Sequence, residues 1–136
     1  MPSLDEAAAL ALRLPEVAEA ERRGTRTWSV RDKVFAWERP FTKADIRRFG
    51  SEMPPGGPIL AVRVADLSEK QAILAAHPGV FFTIPHFDGF SAILIQLDEA
   101  EEDELGEALV DAWLWAAPPD LARAWIEKGP GPGPGP

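Results

Sequence analysis

Residues 80–97 read VFFTIPHFDGFSAILIQL, and this stretch decides the fold. Two apolar runs rich in β-branched and aromatic residues, at 80–84 and 92–97, suit a pleated, half-buried surface. Pro85, Asp88 and Gly89 lie between the runs as turn formers. The pattern therefore predicts a β-hairpin over which the rest of the chain packs.

Residues 25–37 predict a second hairpin, because the spacing of their apolar side chains changes to two. Trp28 and Val30 would face one side of its first strand. Phe35 and Trp37 would share one side of the next.

The turn of this second hairpin lies near residues 31–33. Asp32 tolerates a left-handed backbone but Lys33 does so less readily, so we expect a turn longer than two residues. Residues 59–64 then predict a third strand, and residues 16–23 read as a loop.

Helix signals surround these strands. Ser3 with Glu6, and Thr42 with Asp45, have the spacing of a capping box, in which each side chain satisfies a backbone N–H of the other residue. A helix should follow each pair, and the second should span residues 43–49.

Asp66 and Glu69 have the same capping spacing and predict the start of a third helix. Leu67, Ile73 and Leu74 of this helix would pack in the core.

A helical stripe over residues 101–117 predicts the longest helix, with an acidic cluster at its start, where the helix dipole favours negative charge. Two prolines end it. A short last helix, residues 121–126, would pack Trp125.

The element order is α-β-β-β-α-β-β-α, and most connections are short. We therefore predict an α+β domain, with a five-stranded, mostly antiparallel sheet and helices packed on one face. Residues 1–127 would form this single domain, and the Gly-Pro tail at 128–136 would be disordered. The expected core consists of Trp28, Phe35, Leu60, Val62, Phe81, Ile93, Ile95, Leu109 and Trp113.

Composition excludes several classes of protein. The 136 residues include no cysteine, so disulfides, thiolate metal sites and cysteine nucleophiles are excluded. The N-terminus is acidic where a signal peptide needs positive charge, and no apolar run approaches the roughly 20 residues that span a bilayer. We expect a cytoplasmic protein with no membrane partner.

The charges are unevenly spread. The net charge is −8, yet nine of the fourteen Lys and Arg residues fall within residues 22–48, against three acidic residues. The acidic excess concentrates at residues 98–107. A dipolar domain of this kind could present the basic face that a nucleic-acid partner needs.

Four blocks of sequence resemble the MmcQ/YjbR family. They are WSVRDKVFAWERPFTKADIRR at 28–48, VRVADLSEKQAIL at 62–74, FFTIPHFDGFSAILIQL at 81–97 and DAWLWAAPPDL at 111–121. The resemblance covers about residues 4–126 and implies a secretion-chaperone-like fold. It also implies a "double wing" mode of DNA binding.

The first functional hypothesis is binding of double-stranded DNA through phosphate contacts, which give affinity without sequence information. The alternative for the same residues is an ordinary solvated face, since Arg47 and Arg48 suit the last turn of a helix in any case. The candidate nucleic-acid-binding residues are Arg26, Arg31, Lys33, Lys43, Arg47, Arg48 and His86.

A second hypothesis is a protein- or peptide-binding adaptor that uses the sheet face or a strand edge. An enzyme is disfavoured, because the chain has only two histidines and lacks a phosphate loop, an HExxH motif and a nucleophile elbow. His86 with Asp88 could begin a metal site or an acid-base pair, but a histidine in such a turn more often bonds backbone groups. We expect no cofactor, no metal and no catalytic residue.

Overall fold

The computed structural model describes residues 2–128. Its helices are α1 Leu4–Leu12, α2 Lys43–Phe49, α3 Leu67–Ala76, α4 Glu102–Ala116 and α5 Pro119–Glu127. Its strands are β1 Val17–Arg22, β2 Thr25–Val30, β3 Lys33–Glu38, β4 Ile59–Arg63, β5 Phe81–Phe82 and β6 Ala92–Gln96. Two 3-10 turns, Pro85–Phe87 and Leu97–Glu99, flank β6.

The predicted tail lies almost wholly outside the described residues, since only Lys128 of residues 128–136 is described. Lys128 belongs to the end of α5, where its N–H donates to the carbonyls of Ala124 and Ile126. Among residues 2–128, no helix is both long and apolar enough to cross a membrane.

All strand pairs are antiparallel, in the order β1-β2-β3-β4-β6-β5. The α+β prediction is confirmed, but this sheet has six strands rather than five. The additional strand is β1, which was predicted as a loop because its residues after Val17 are all exposed and show no apolar alternation. Arg23 and Gly24, both at positive φ, form the turn that folds β1 back onto β2.

The turn between β2 and β3 is shorter than predicted. Val30 pairs directly with Lys33, so the turn has two residues, and both Arg31 and Asp32 adopt positive φ, at 46° and 69°. Positive φ at both central positions is the signature of a type I′ turn, whose twist matches that of the strands it joins. An arginine takes a position that glycine or asparagine usually occupies.

The prediction that Phe35 and Trp37 share one face of β3 is wrong, because this strand contains a β-bulge. Trp28 pairs with Ala36 whereas the adjacent Ser29 pairs with Val34, so Phe35 is an extra residue. Phe35 consequently enters the core on one face of the sheet, and Trp37 packs on the opposite face.

Two apolar cores sandwich the sheet. The first core lies under α1, α4 and α5 and contains all nine residues predicted for the core. The second core, on the other face, joins Ile59, Ala61 and Leu94 to Phe87 of the first 3-10 turn, with Phe49 of α2 packed against it. Helices therefore cover one face as predicted, and α2 with this turn covers part of the other.

Both predicted capping boxes are present, at Ser3–Glu6 and Thr42–Asp45, and α2 has the predicted bounds. The core assignment in α3 is wrong for Leu67, which is 47% exposed. The buried residue of this helix is instead Lys70.

Lys70 anchors the loop between β5 and β6. Its side chain is 3% exposed, and Nζ donates to the carbonyl oxygens of Phe87, at 2.7 Å, and Phe90, at 2.9 Å. Burial lowers the pKa of Lys70 below its ordinary value of 10.5, although the Asp88 carboxylate acts in the opposite direction. The loop thus depends on a desolvated ammonium group.

The Lys70→Met variant tests this anchor. Between the folded-state pKa and the ordinary value of 10.5, the unfolded wild-type chain binds more protons at Lys70 than the folded chain does. The contribution of this residue to the free energy of unfolding therefore rises with pH, because the neutral amine still donates to the two carbonyls. Urea unfolding from pH 8 to 10.5 should show the wild type gaining stability relative to Lys70→Met. Lys128→Met, at an exposed position, is the control for removing one positive charge. A constant difference between the wild type and Lys70→Met across this pH range would contradict the assignment.

A second buried charge fixes α2. The carboxylate of Asp45, 3% exposed, accepts from the N–H of Thr42 and from Nη1 of Arg39, both at 2.9 Å. Burial alone would raise the pKa of Asp45, but these partners outweigh it and hold the pKa below its ordinary value of 3.8.

Asp45→Asn removes the charge that pairs with Arg39. We expect it to lower the free energy of unfolding by about 2 kcal/mol at pH 7, because Arg39 is left half-buried without its carboxylate. The stabilisation is complete above pH 3.8 and is lost as the pH falls towards the folded-state pKa. The difference between the two proteins should therefore shrink in acid.

Asp66→Asn provides the matched control, since Asp66 caps α3 but forms no ion pair within the described part of the chain. Equal losses in the two variants would show that the cap, and not the Arg39 pair, carries the effect.

Candidate functional site

The arginines of the β2–β3 hairpin are held by carboxylates of the same chain. Arg26 donates from Nε and Nη2 to Glu19, at 3.0 and 3.2 Å, and from Nη1 to Asp5 at 2.7 Å. Arg31 forms a two-bond pair with Glu16, at 2.9 and 3.1 Å. The hydrogen bond from Arg26 lowers the pKa of Glu19. A phosphate at either arginine would have to compete with these carboxylates.

These two arginines also lie apart. Arg26 lies near the start of β2 and Arg31 in the turn after its end, so the two are separated by about 17 Å along the strand direction. Lys33, beside Arg31, places Nζ 4.1 Å from the ring centroid of Trp115 in α4. The hairpin therefore does not gather its cations into one patch.

The cations of α2 are differently placed. Lys43, Arg47 and Arg48 are exposed, and among residues 2–128 the one carboxylate within 4 Å of their charged groups is that of Asp45, 3.9 Å from Arg48 and already bonded to Arg39. Helix α2 packs against the 3-10 turn that carries the exposed His86. The seven predicted site residues thus divide into a hairpin group of three and a group of four on and beside α2.

An open groove that sequence reasoning missed lies beside this second group. It has a volume of about 450 Å³, and we call it the aromatic groove. Its lining residues are Trp37, Arg39, His86, Phe87 and Phe90.

Three rings of the aromatic groove contact one another. The centroid of Trp37 is 6.3 Å from that of Phe87 and 6.4 Å from that of Phe90, and Phe87 meets Phe90 edge-on at 5.5 Å. Phe87 is buried, whereas Phe90 is 37% exposed. The groove therefore exposes the Phe90 ring to solvent, and the buried Phe87 ring packs against it.

Two arginines border the rings. The guanidinium of Arg39 lies 5.6 Å from the Phe87 centroid and, through its bond to Asp45, connects the groove to α2. Arg63 lies 4.4 Å from the Phe90 centroid and 4.0 Å from that of Trp115, and it donates to the carbonyl and hydroxyl of Ser91. Burial lowers the pKa of Arg63. The available sequence signals were Trp37 close to Arg39 at the end of β3, and the aromatic turn PHFDGF at residues 85–90.

Acidic residues occupy a different part of the molecule. A larger groove, about 770 Å³, lies between α1, α4 and α5. Its carboxylates belong to Glu102, Asp103, Glu107 and Asp111. Burial raises the pKa of Asp111, and the negative charges of Glu69 and Glu107 raise it further. This groove is unsuited to a polyanion.

The structure offers little for metal chemistry. Within the described range, no group of three or more His, Cys, Asp and Glu side chains is placed to hold a metal ion. His77 ends α3, where its Nδ1 lies 3.2 Å from Glu104.

Comparison with known proteins places the chain in a family. It is 43% identical over 129 residues to the uncharacterized proteins Rv2570 of Mycobacterium tuberculosis (strain ATCC 25618 / H37Rv) and Mb2600 of Mycobacterium bovis, covering 93% of this chain and 97% of each relative. The crystal structure of Deinococcus radiodurans protein DR2400, with the family-model domain DUF419, has the same fold with a TM-score of 0.64. It is 19% identical, and the match covers 95% of this chain and 89% of that one. The YjbR family model matches residues 12–115, and the chain therefore belongs to the YjbR family.

Proposed function

We propose that this protein is a non-enzymatic DNA-binding protein whose interface is formed by α2 and the aromatic groove. The "double wing" binding that the family resemblance implies motivates DNA as the partner. The choice of this surface rests on which cations are already paired. Arg26 and Arg31 are bonded to carboxylates. Lys43 and Arg47 are exposed beside a groove lined by Arg39 and His86.

The distribution of acidic residues supports the same surface. Glu102, Asp103 and Glu107 lie on α4, which packs against the first core, whereas Trp37 and Phe87 of the aromatic groove belong to the second core on the opposite face of the sheet. A chain with net charge −8 can bind a polyanion when its positive potential is concentrated on one face.

Double-stranded DNA should bind with an affinity that falls as salt rises, because each neutralised phosphate releases counterions. Lys43→Glu/Arg47→Glu should weaken binding about tenfold or more at 0.1 M salt and reduce the slope of log K against log salt by about two. Fluorescence anisotropy of a labelled duplex across a salt series measures both quantities.

Arg123→Glu/Lys128→Glu is the matched control, because it makes the same change in net charge at exposed positions on and just after α5. An equal loss in the control would mean that net charge alone governs binding. Unchanged affinity in Lys43→Glu/Arg47→Glu would refute the proposed interface.

A second candidate, the protein- or peptide-binding adaptor, is favoured by the open edge of β1. Among the strands within residues 2–128, it pairs with β2 alone, and its residues from Ala18 to Arg22 are exposed, so an extended peptide could add to the sheet. This function would be favoured if the protein bound a specific peptide partner and did not bind DNA at low salt.

A further inference from the structure

We propose that the aromatic groove receives one unpaired base of a DNA strand, so that this protein prefers single-stranded or locally unpaired DNA to intact duplex. The inference rests on the proposed function, since it names the form of DNA that the same surface recognises. It goes further by giving the aromatic rings, and not only the cations, a part in binding.

The rings provide a stacking surface. Trp37 and Phe90 are both accessible at the groove, and buried Phe87 supports them from below. Stacking on aromatic side chains is the usual way in which proteins hold unpaired bases, because every base has a π-face. In an intact duplex these faces are covered by neighbouring base pairs, so a base reaches such a surface only when it leaves the stack.

Polar groups at the groove suit the edge of a base or its phosphate. Within residues 2–128, both side-chain hydrogen bonds of Arg39 come from Nη1, which leaves its Nε and Nη2 donors available to a ligand. His86 is exposed at the same groove. The cations of α2 lie on the helix that Arg39 contacts through Asp45, where they can follow the strand that carries the base.

The groove is held in shape before any ligand arrives. Lys70 fixes the carbonyls of Phe87 and Phe90, and Arg63 fixes Ser91 while lying against the Phe90 ring. A surface ordered in advance loses little conformational entropy on binding. Its volume of about 450 Å³ is also within the usual range for sites that bind small ligands.

Removing the bases without removing the phosphates tests the inference. Anisotropy titrations would compare a labelled single strand, its duplex, and a strand of equal length in which every nucleotide is abasic. If one base stacks in the groove, the normal strand should bind about 5-fold to 150-fold more tightly than the abasic strand. The normal strand should also bind more tightly than the duplex.

Variants assign the effect to the groove. Phe90→Ala should weaken binding of the single strand about tenfold and leave duplex and abasic binding unchanged. Ile126→Ala, which truncates an exposed apolar residue of α5, should change none of the three affinities. Trp37→Phe retains a stacking ring, so it should retain affinity but lose most of the quenching of tryptophan fluorescence that a stacked base causes in the wild type.

The possible results separate this inference from the proposed function. If the normal and abasic strands bind equally, and Phe90→Ala behaves as wild type, the base-binding groove is refuted while electrostatic DNA binding stands. If the wild type binds none of the three DNAs at low salt, both proposals fail.

Discussion

The fold depends on the burial of two central strands on both faces. In β4, Leu60 and Val62 enter the first core while Ile59 and Ala61 enter the second, and β6 alternates in the same way. A sheet buried on both faces needs cover on both, and helices α1, α4 and α5 supply only one layer. Helix α2 and the loop after β5 must therefore cover the other face. The aromatic groove lies on this second face.

Local patterns in the sequence predicted much of this architecture. Both ends of α2 follow from Thr42, Asp45 and Gly50, because a helix cap is a contact between residues three or four positions apart. Strand β1 could not be predicted in this way. It is stabilised by backbone pairing with β2, which leaves no pattern of side chains, and it offers Glu19 and Glu21 to solvent where a strand usually has an apolar face.

The missed strand also explains why the ion pairs of the hairpin arginines could not be predicted from the sequence. Glu19 lies on β1 and Glu16 directly precedes it, so the partners of Arg26 and Arg31 could not be identified while residues 16–23 read as a loop. The groove was missed for a related reason. Its residues come from segments about fifty positions apart, and only the pairing of β3 with β4 and of β4 with β6 brings them together.

The bulge at Phe35 allows β3 to supply a large aromatic side chain to each face of the sheet. Side chains alternate between faces along a strand, so one extra residue allows Phe35 to fill the first core while Trp37 faces the groove. Because Val34 and Ala36 already oppose the adjacent residues Ser29 and Trp28, deletion of Phe35 would restore a regular ladder and leave the other side chains of β3 on their own faces. The bulge therefore adds a buried aromatic ring to the first core without changing the register of the strand.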